Sequence, residues 1–175
     1  FNIVKTYYGI DIQLMVYMEA AMKLVAKMRP GKNVIPAGVF YYNISDPIVS
    51  ATTESAEEIE DKIKGELRLK GMVNSDKEIA EKMDNTEGTS LNIPVSRKAD
   101  GGFDSRRSKV MNTEQFNMLG RFVDVRAVDT ADRIAGGDIR RSPYKDGQFS
   151  SCDRCPYGAV CGFSVDLPGC NYRKL

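Results

Sequence analysis

Asp11-Ile12-Gln13-Leu14-Met15-Val16-Tyr17 opens the stretch whose reading sets the fold. From residue 12 to residue 29, Leu14, Met18, Ala21, Met22, Val25 and Met28 recur at helical spacing and make one apolar face, so the stretch reads as an amphipathic helix. Pro30-Gly31 stops it. Gln13 and Tyr17, four residues apart, lie on one face of that helix, with Gly9 and Asp11 just before. Taken alone, they are a polar edge. Residues 34–44 follow as a nearly continuous apolar, aromatic and β-branched run, too short for a second helix and read as a buried strand. Pro36 stands near its start, where proline is tolerated, and Asp46-Pro47 ends it.

Downstream, Ser55-Ala56-Glu57-Glu58 spells a capping box, in which serine and glutamate satisfy each other's backbone amides. Ile59, Ile63 and Leu67 then repeat every four residues, with Gly71 read as the helix stop. Glu57, Glu58 and Glu60 lie on the solvated face and read as structural carboxylates, not catalytic ones. Ser75-Asp76-Lys77-Glu78 repeats the cap before a shorter helix near 76–83. Residues 84–109, polar and rich in Gly, Asp, Ser and Arg, read as a long loop or mobile hairpin around Asp100-Gly101-Gly102. Asn112 and Gln115 pair as another helix start. Phe116, Leu119, Val123, Ala127, Thr130 and Ile134 then give a long amphipathic helix, stopped by Gly136-Gly137. Asp138 to Tyr144 reads as a short strand.

The four cysteines, Cys152, Cys155, Cys161 and Cys170, all fall in the last 24 of 175 residues. A disulfide framework spreads its cysteines along a small secreted chain, whereas a tight terminal cluster points to metal binding in a reducing compartment. Cys152-x2-Cys155-x5-Cys161 offers soft thiolate donors, two of them from one tight turn. The spacing leaves zinc, with Cys170 as a fourth ligand, and an iron–sulfur centre both open. With no histidine, the chain encodes no Ser-His, Cys-His or histidine–metal chemistry. A net charge of +1 sets up no global basic field, so nucleic acid would have to be met by local patches such as Arg140, Arg141, Lys145 and Arg154. No signal peptide opens the sequence and no apolar run reaches the length of a membrane span. The start at Phe1 reads as a piece cut from a longer chain.

The Gln-x3-Tyr helix, the strand Ala37-Gly38-Val39-Phe40-Tyr41-Tyr42 and the C-terminal Cys-x2-Cys-x5-Cys together resemble the PD-(D/E)XK nucleases that carry an iron–sulfur cluster. Within them the similarity is to the B subunits of bacterial AddAB-type ATP-dependent helicase–nucleases, and it covers essentially the whole chain. Its most specific parts are residues 11–17, Ile134-Ala135-Gly136-Gly137-Asp138-Ile139, Pro143-Tyr144-Lys145 and residues 152–163. The resemblance implies an α/β fold, an incomplete, helix-rich restriction-endonuclease-like core with a C-terminal cysteine segment. The expected partition is residues 1–49 as the C-terminal part of the nuclease core, 50–111 as a helical insertion and loop, and 112–175 as long helix, short strand and cysteine segment.

It further implies an exodeoxyribonuclease subunit that processes DNA double-strand ends for recombinational repair by metal-dependent phosphodiester hydrolysis. Gln13 and Tyr17 match the accessory pair near the catalytic site. Cys152, Cys155 and Cys161 match three ligands of a 4Fe-4S cluster whose fourth ligand lies upstream, outside these residues; Cys170 matches none. The Mg2+-holding carboxylates and lysine are expected before Phe1, so the chain alone is expected to be inactive. Expected partners are DNA and a helicase–nuclease A subunit, in the cytoplasm and without a membrane. Two other readings stand beside it. A CRISPR-associated iron–sulfur exonuclease shares the helix and the cysteines, but usually joins strand to cysteines by a shorter connection than residues 45–149. A Zn2+-stapled module binding DNA or a protein partner would need no catalysis.

Overall fold

The computed structural model describes residues 1–50 and 55–175. The chain forms two compact units, one of Phe1 and residues 11–124, the other of residues 2–10 and 125–175. The first unit contains α2 (Gln13–Met28), β1 (Gly38–Tyr41), α3 (Ala56–Leu67), β2 (Lys70–Asn74), α4 (Lys77–Met83), β3 (Val110–Met111) and the start of α5 (Thr113–Ala135). The second holds α1 (Ile3–Tyr7), the rest of α5, β4 (Tyr144–Asp146), β5 (Phe149–Ser150), α6 (Gly158–Cys161) and β6 (Arg173–Lys174). Helices and mixed sheets make the expected α/β chain. Among the described residues, no helix is long and apolar enough to cross a membrane.

In the first unit the sheet order is β1-β2-β3, antiparallel then parallel. Strand β2 separates two apolar clusters. On one side Met15 and Met18 of α2 pack with Val39, Met111, Phe116 and Val123, with Met72 partly buried against them. On the other, Val73 packs with Ala80, Ile93 and Val95. The two-residue alternation of a strand sends Met72 and Val73 to opposite faces. The α2 interval agrees with the sequence reading, but its buried face is carried by Met15 and Met18, while Ala21, Val25 and Met28 are exposed.

Strand β2 was not expected from the sequence. Gly71 does not stop α3, which ends at Leu67; it pairs with Phe40 in the ladder. A β-carbon on Gly71 would stand 1.9 Å from the Val39 carbonyl oxygen, so this glycine permits a close approach of two strands. The predicted strand over 34–44 is realised only at Gly38–Tyr41. Pro36 has no N–H to pair, and its carbonyl accepts from the Asn74 side chain at 2.8 Å, while the Ala37 carbonyl accepts from the Asn74 backbone at 2.8 Å. Beyond Tyr41 the partner strand has ended at Lys70.

Both halves of the Ser55–Glu58 capping box form, at 3.3 and 2.8 Å, as does the Asn112–Gln115 pair, at 2.8 and 2.9 Å. The cap of α4 is Asp76, accepting from Glu78 and Ile79, and not Ser75. Residues 84–109 are irregular, with isolated bridges between Thr89 and Ser96 and between Arg97 and Phe103. Of the two expectations, a long loop or a mobile hairpin, the long loop is observed, and it is packed: Ser90, Ile93, Val95 and Ser96 are buried. Asp84 organises them, accepting from the Thr86 backbone at 2.7 Å, Ser90 Oγ at 2.6 Å and Asn92 Nδ2 at 3.1 Å. Burial pushes the Asp84 carboxyl up, but these donors outweigh it and hold its pKa well below the usual carboxylate range.

In α5 the apolar stripe is buried at Phe116 and Val123; Thr130 and Ile134 are exposed. Gly137, at φ 75°, supplies the predicted left-handed stop. The strand read at 138–144 begins only at Tyr144. Asp138 instead pairs with Arg133 and Arg140, each at 2.7 Å, and residues 138–143 run on without regular structure beyond the Gly136-Gly137 turn. The second sheet runs β5-β4-β6, antiparallel then parallel.

Candidate functional site

Two groups of side chains stand out, one in each unit. The first sits at the opening of α2. Met15 and Met18 turn inward, which leaves Gln13 and Tyr17 on the exposed side of the helix. Their expected shared face is real contact: Gln13 Nε2 donates to the Tyr17 hydroxyl oxygen at 2.9 Å. That bond uses one amide N–H and one oxygen lone pair. The Gln13 carbonyl oxygen and the Tyr17 O–H remain as an acceptor and a donor, a pair suited to orienting a water or a phosphate oxygen.

Below this pair is a contact that periodicity does not reveal. The Tyr41 hydroxyl of β1 donates to Asp11 Oδ1 at 2.7 Å, with both residues half-buried. The bond to Asp11, then burial, then the carboxylate's charge push the Tyr41 phenol up to about 12. The alternation Val39-Phe40-Tyr41 gave some signal, since Val39 faces one core and Phe40 the other, leaving Tyr41 on the Val39 side towards α2.

Glu58 is used by the α3 cap and Glu60 by Lys64 at 2.7 Å.

The second group is the cysteine segment. β5 leads into a turn in which Asp153 accepts from the Ser150 amide and hydroxyl, both at 2.7 Å, and the Cys155 amide donates to the Cys152 carbonyl at 3.1 Å. Cys161 ends α6, and Gly162, at φ 61°, turns the chain away. Arg141 Nη1 donates to the carbonyls of Cys161 and Gly162, both at 3.1 Å. Arg140 and Arg141, named from the sequence as part of a local basic patch, are thus engaged by Asp138 and by these carbonyls. Phe163 and Tyr172 meet edge to face at 5.0 Å. A hydrogen bond to the Cys152 thiol raises the Tyr172 pKa, against a smaller opposing effect of Ser150.

All four thiols are free of disulfides; Cys155 is exposed and the others are half-buried. Among the described residues, no three Cys, Asp or Glu side chains converge as ligands of a single metal ion. The donor set of Cys152, Cys155 and Cys161, three unbridged thiols on one short segment, suits a soft metal centre, zinc or iron–sulfur alike. Cys170 follows a separate turn at Pro168-Gly169, its amide bonded to the Leu167 carbonyl at 3.1 Å.

Comparison with known proteins adds a family and relatives. Residues 2–162 match the PD-(D/E)XK nuclease superfamily. The chain is 37% identical over 177 residues to the B subunit of the ATP-dependent helicase/deoxyribonuclease of Clostridium botulinum strain Hall, covering all of this chain and 15% of that protein. It is 36% identical over 171 residues to the protein of the same name from Thermoanaerobacter sp. strain X514, covering 97% of the chain and 15% of the relative. For that from Lachnoclostridium phytofermentans the figures are 35% over 185 residues, all of the chain and 16% of the relative. The chain thus spans 15–16% of the length of these relatives.

Proposed function

The chain belongs to the PD-(D/E)XK nuclease superfamily, and from that premise we propose that it forms part of the nuclease region of an ATP-dependent helicase–nuclease, within its B-type polypeptide. Its substrate would be DNA, processed at double-strand ends for recombinational repair, and its partner a helicase–nuclease A subunit in the cytoplasm. The observation that carries this reading is identity of 35–37% along the whole chain to proteins named as deoxyribonuclease subunits.

The reaction is phosphodiester hydrolysis. A divalent metal such as Mg2+, when bound, supplies Lewis-acid polarisation and charge neutralisation. Its carboxylate and lysine partners are proposed to lie in sequence outside residues 1–175. Within this chain, Gln13 and Tyr17 serve as accessory residues: the Gln13 carbonyl oxygen accepts from a water and the Tyr17 hydroxyl donates to a phosphate oxygen. Cys152, Cys155 and Cys161 would hold a 4Fe-4S cluster as a structural staple, with a further ligand supplied from elsewhere.

The test is the full-length helicase–nuclease with Gln13→Ala or Tyr17→Phe, assayed for magnesium-dependent digestion of linear duplex. Each variant is expected to cut about tenfold more slowly with an unchanged melting temperature, as loss of one polar contact in the transition state implies. Parental rates for both would leave the pair as exposed polar side chains with no part in the reaction. The names of the relatives favour this reading over a CRISPR-associated exonuclease, and iron analysis separates it from a zinc-stapled binding module.

A further inference from the structure

We infer that the Asp11–Tyr41 hydrogen bond is a positioning device that fixes the start of α2, and with it the Gln13 amide, for the reaction proposed above. The inference rests on that nuclease reading and deepens it.

Among the described residues, four of the six helices start on a side-chain cap, and α2 and the four-residue α6 do not. α1 begins on Asn2, α3 on Ser55, α4 on Asp76 and α5 on the Asn112–Gln115 pair, each with a side chain bonded to backbone amides of the first turn. α2 begins on Ile12, which has no side-chain cap. Its first turn, which carries Gln13, takes no side-chain bond from its N-cap residue.

The anchor comes instead from 30 residues away. Tyr41 donates to Asp11 at 2.7 Å, a charge-assisted bond to the residue two before Gln13. Tyr41 is itself held: its strand pairs with β2 from Gly38 to Tyr41, and Val39 and Phe40 pack into opposite cores. A rigid strand thus grips the residue at the helix mouth. Tyr17, one turn further along, stands above the buried Met15 and Met18 and depends less on that grip. A slack first turn would pull the Gln13 amide off its 2.9 Å bond to the Tyr17 hydroxyl while leaving Tyr17 in place. Small displacements of orienting groups cost rate far more than they cost binding.

The experiment uses the full-length helicase–nuclease with Tyr41→Phe, Asp11→Ala, Asp11→Asn, the double variant Tyr41→Phe/Asp11→Ala, and Gln13→Ala, measuring kcat and KM on linear duplex. Tyr41→Phe and Asp11→Ala are each expected to lower kcat about tenfold, with KM within about twofold, and the double variant no more than the worse single one. Asp11→Asn keeps an acceptor oxygen and is expected to retain most of the parental kcat. Amide exchange at Val16, whose N–H closes the first turn on the Ile12 carbonyl at 3.0 Å, should quicken in Tyr41→Phe, a change that survives even where kcat is hard to measure.

Additive losses in the double variant would overturn the inference. So would an Asp11→Asn variant as slow as Asp11→Ala beside a parental Tyr41→Phe, since Asp11 would then act directly. Gln13→Ala tells the two failures apart. If it cuts at the parental rate, the nuclease reading of α2 fails and takes the inference with it. If it is slow while Tyr41→Phe is parental, only the positioning role fails.

Discussion

Asn74 is fully buried, and every polar atom of its side chain is used. Nδ2 donates to the Pro36 carbonyl at 2.8 Å and to Thr113 Oγ1 at 2.9 Å, and Oδ1 accepts from the Asp76 amide at 2.9 Å. Asn74→Leu would strand these partners in an apolar site and is expected to cost about 3 kcal/mol in urea unfolding of the chain. Asp84 sets an acid limit. Its folded pKa lies below the unfolded value, so its stabilisation is full above about pH 4 and is lost as pH falls through the lower folded value. Asp84→Asn should therefore flatten the decline in melting temperature below pH 4. Tyr41 sets the opposite limit: with its folded pKa raised to about 12, its contribution is full below the unfolded value of 10.0 and is lost as pH climbs from there towards 12. Tyr41→Phe should remove that alkaline slope. The cysteines drew notice in the sequence because three thiols at short spacing are rarely accidental. Asn74 and the Asp11–Tyr41 bond were not legible there, because they act through partners that only the folded chain brings near, and Asp84 was not, because its nearby partners Thr86, Ser90 and Asn92 lie in a stretch with no periodic pattern.

At the scale of elements, structure was legible where local chemistry closes on itself. The Ser55 box involves residues three apart, and Ser55→Ala is expected to cost about 1 kcal/mol of α3 stability, read as faster amide exchange at Glu57, Glu58 and Ile59. Helix boundaries for α2 and the stop of α5 followed from periodicity and glycine for the same reason. β2 was hidden, being a five-residue strand whose glycine resembles a helix terminator. The purpose of Gly71 lies in the Val39 carbonyl, over thirty residues earlier, and no local pattern encodes that distance. Gly71→Ala is expected to destabilise the chain by about 3 kcal/mol through forced separation of β1 and β2, with exchange quickening along both strands. The strand expected at 138–144 failed differently: the demand of Arg133 and Arg140 on Asp138 outweighed β propensity.

For the whole molecule, the family could be read from the combination of helix, strand and cysteines, although none of the three was decisive alone. In the full-length protein, Cys152→Ala, Cys155→Ala and Cys161→Ala are each expected to abolish iron content and the cluster's absorbance, while Cys170→Ala leaves both intact. Preparation without oxygen of all four variants decides this, and a colourless Cys170→Ala protein would move the fourth ligand into this chain. The placement of β2 bears on how such a sequence can change over generations. A strand with one clean face can drift on the other, but Met72 and Val73 look into separate cores, Gly71 has no room for a side chain and Asn74 has no spare atom. In a library of random substitutions selected for folding, residues 71–74 should therefore admit the fewest survivors. Residues 56–67, a helix with no buried side chain, should accept change almost freely and offer the place to graft a tag or a reporter loop.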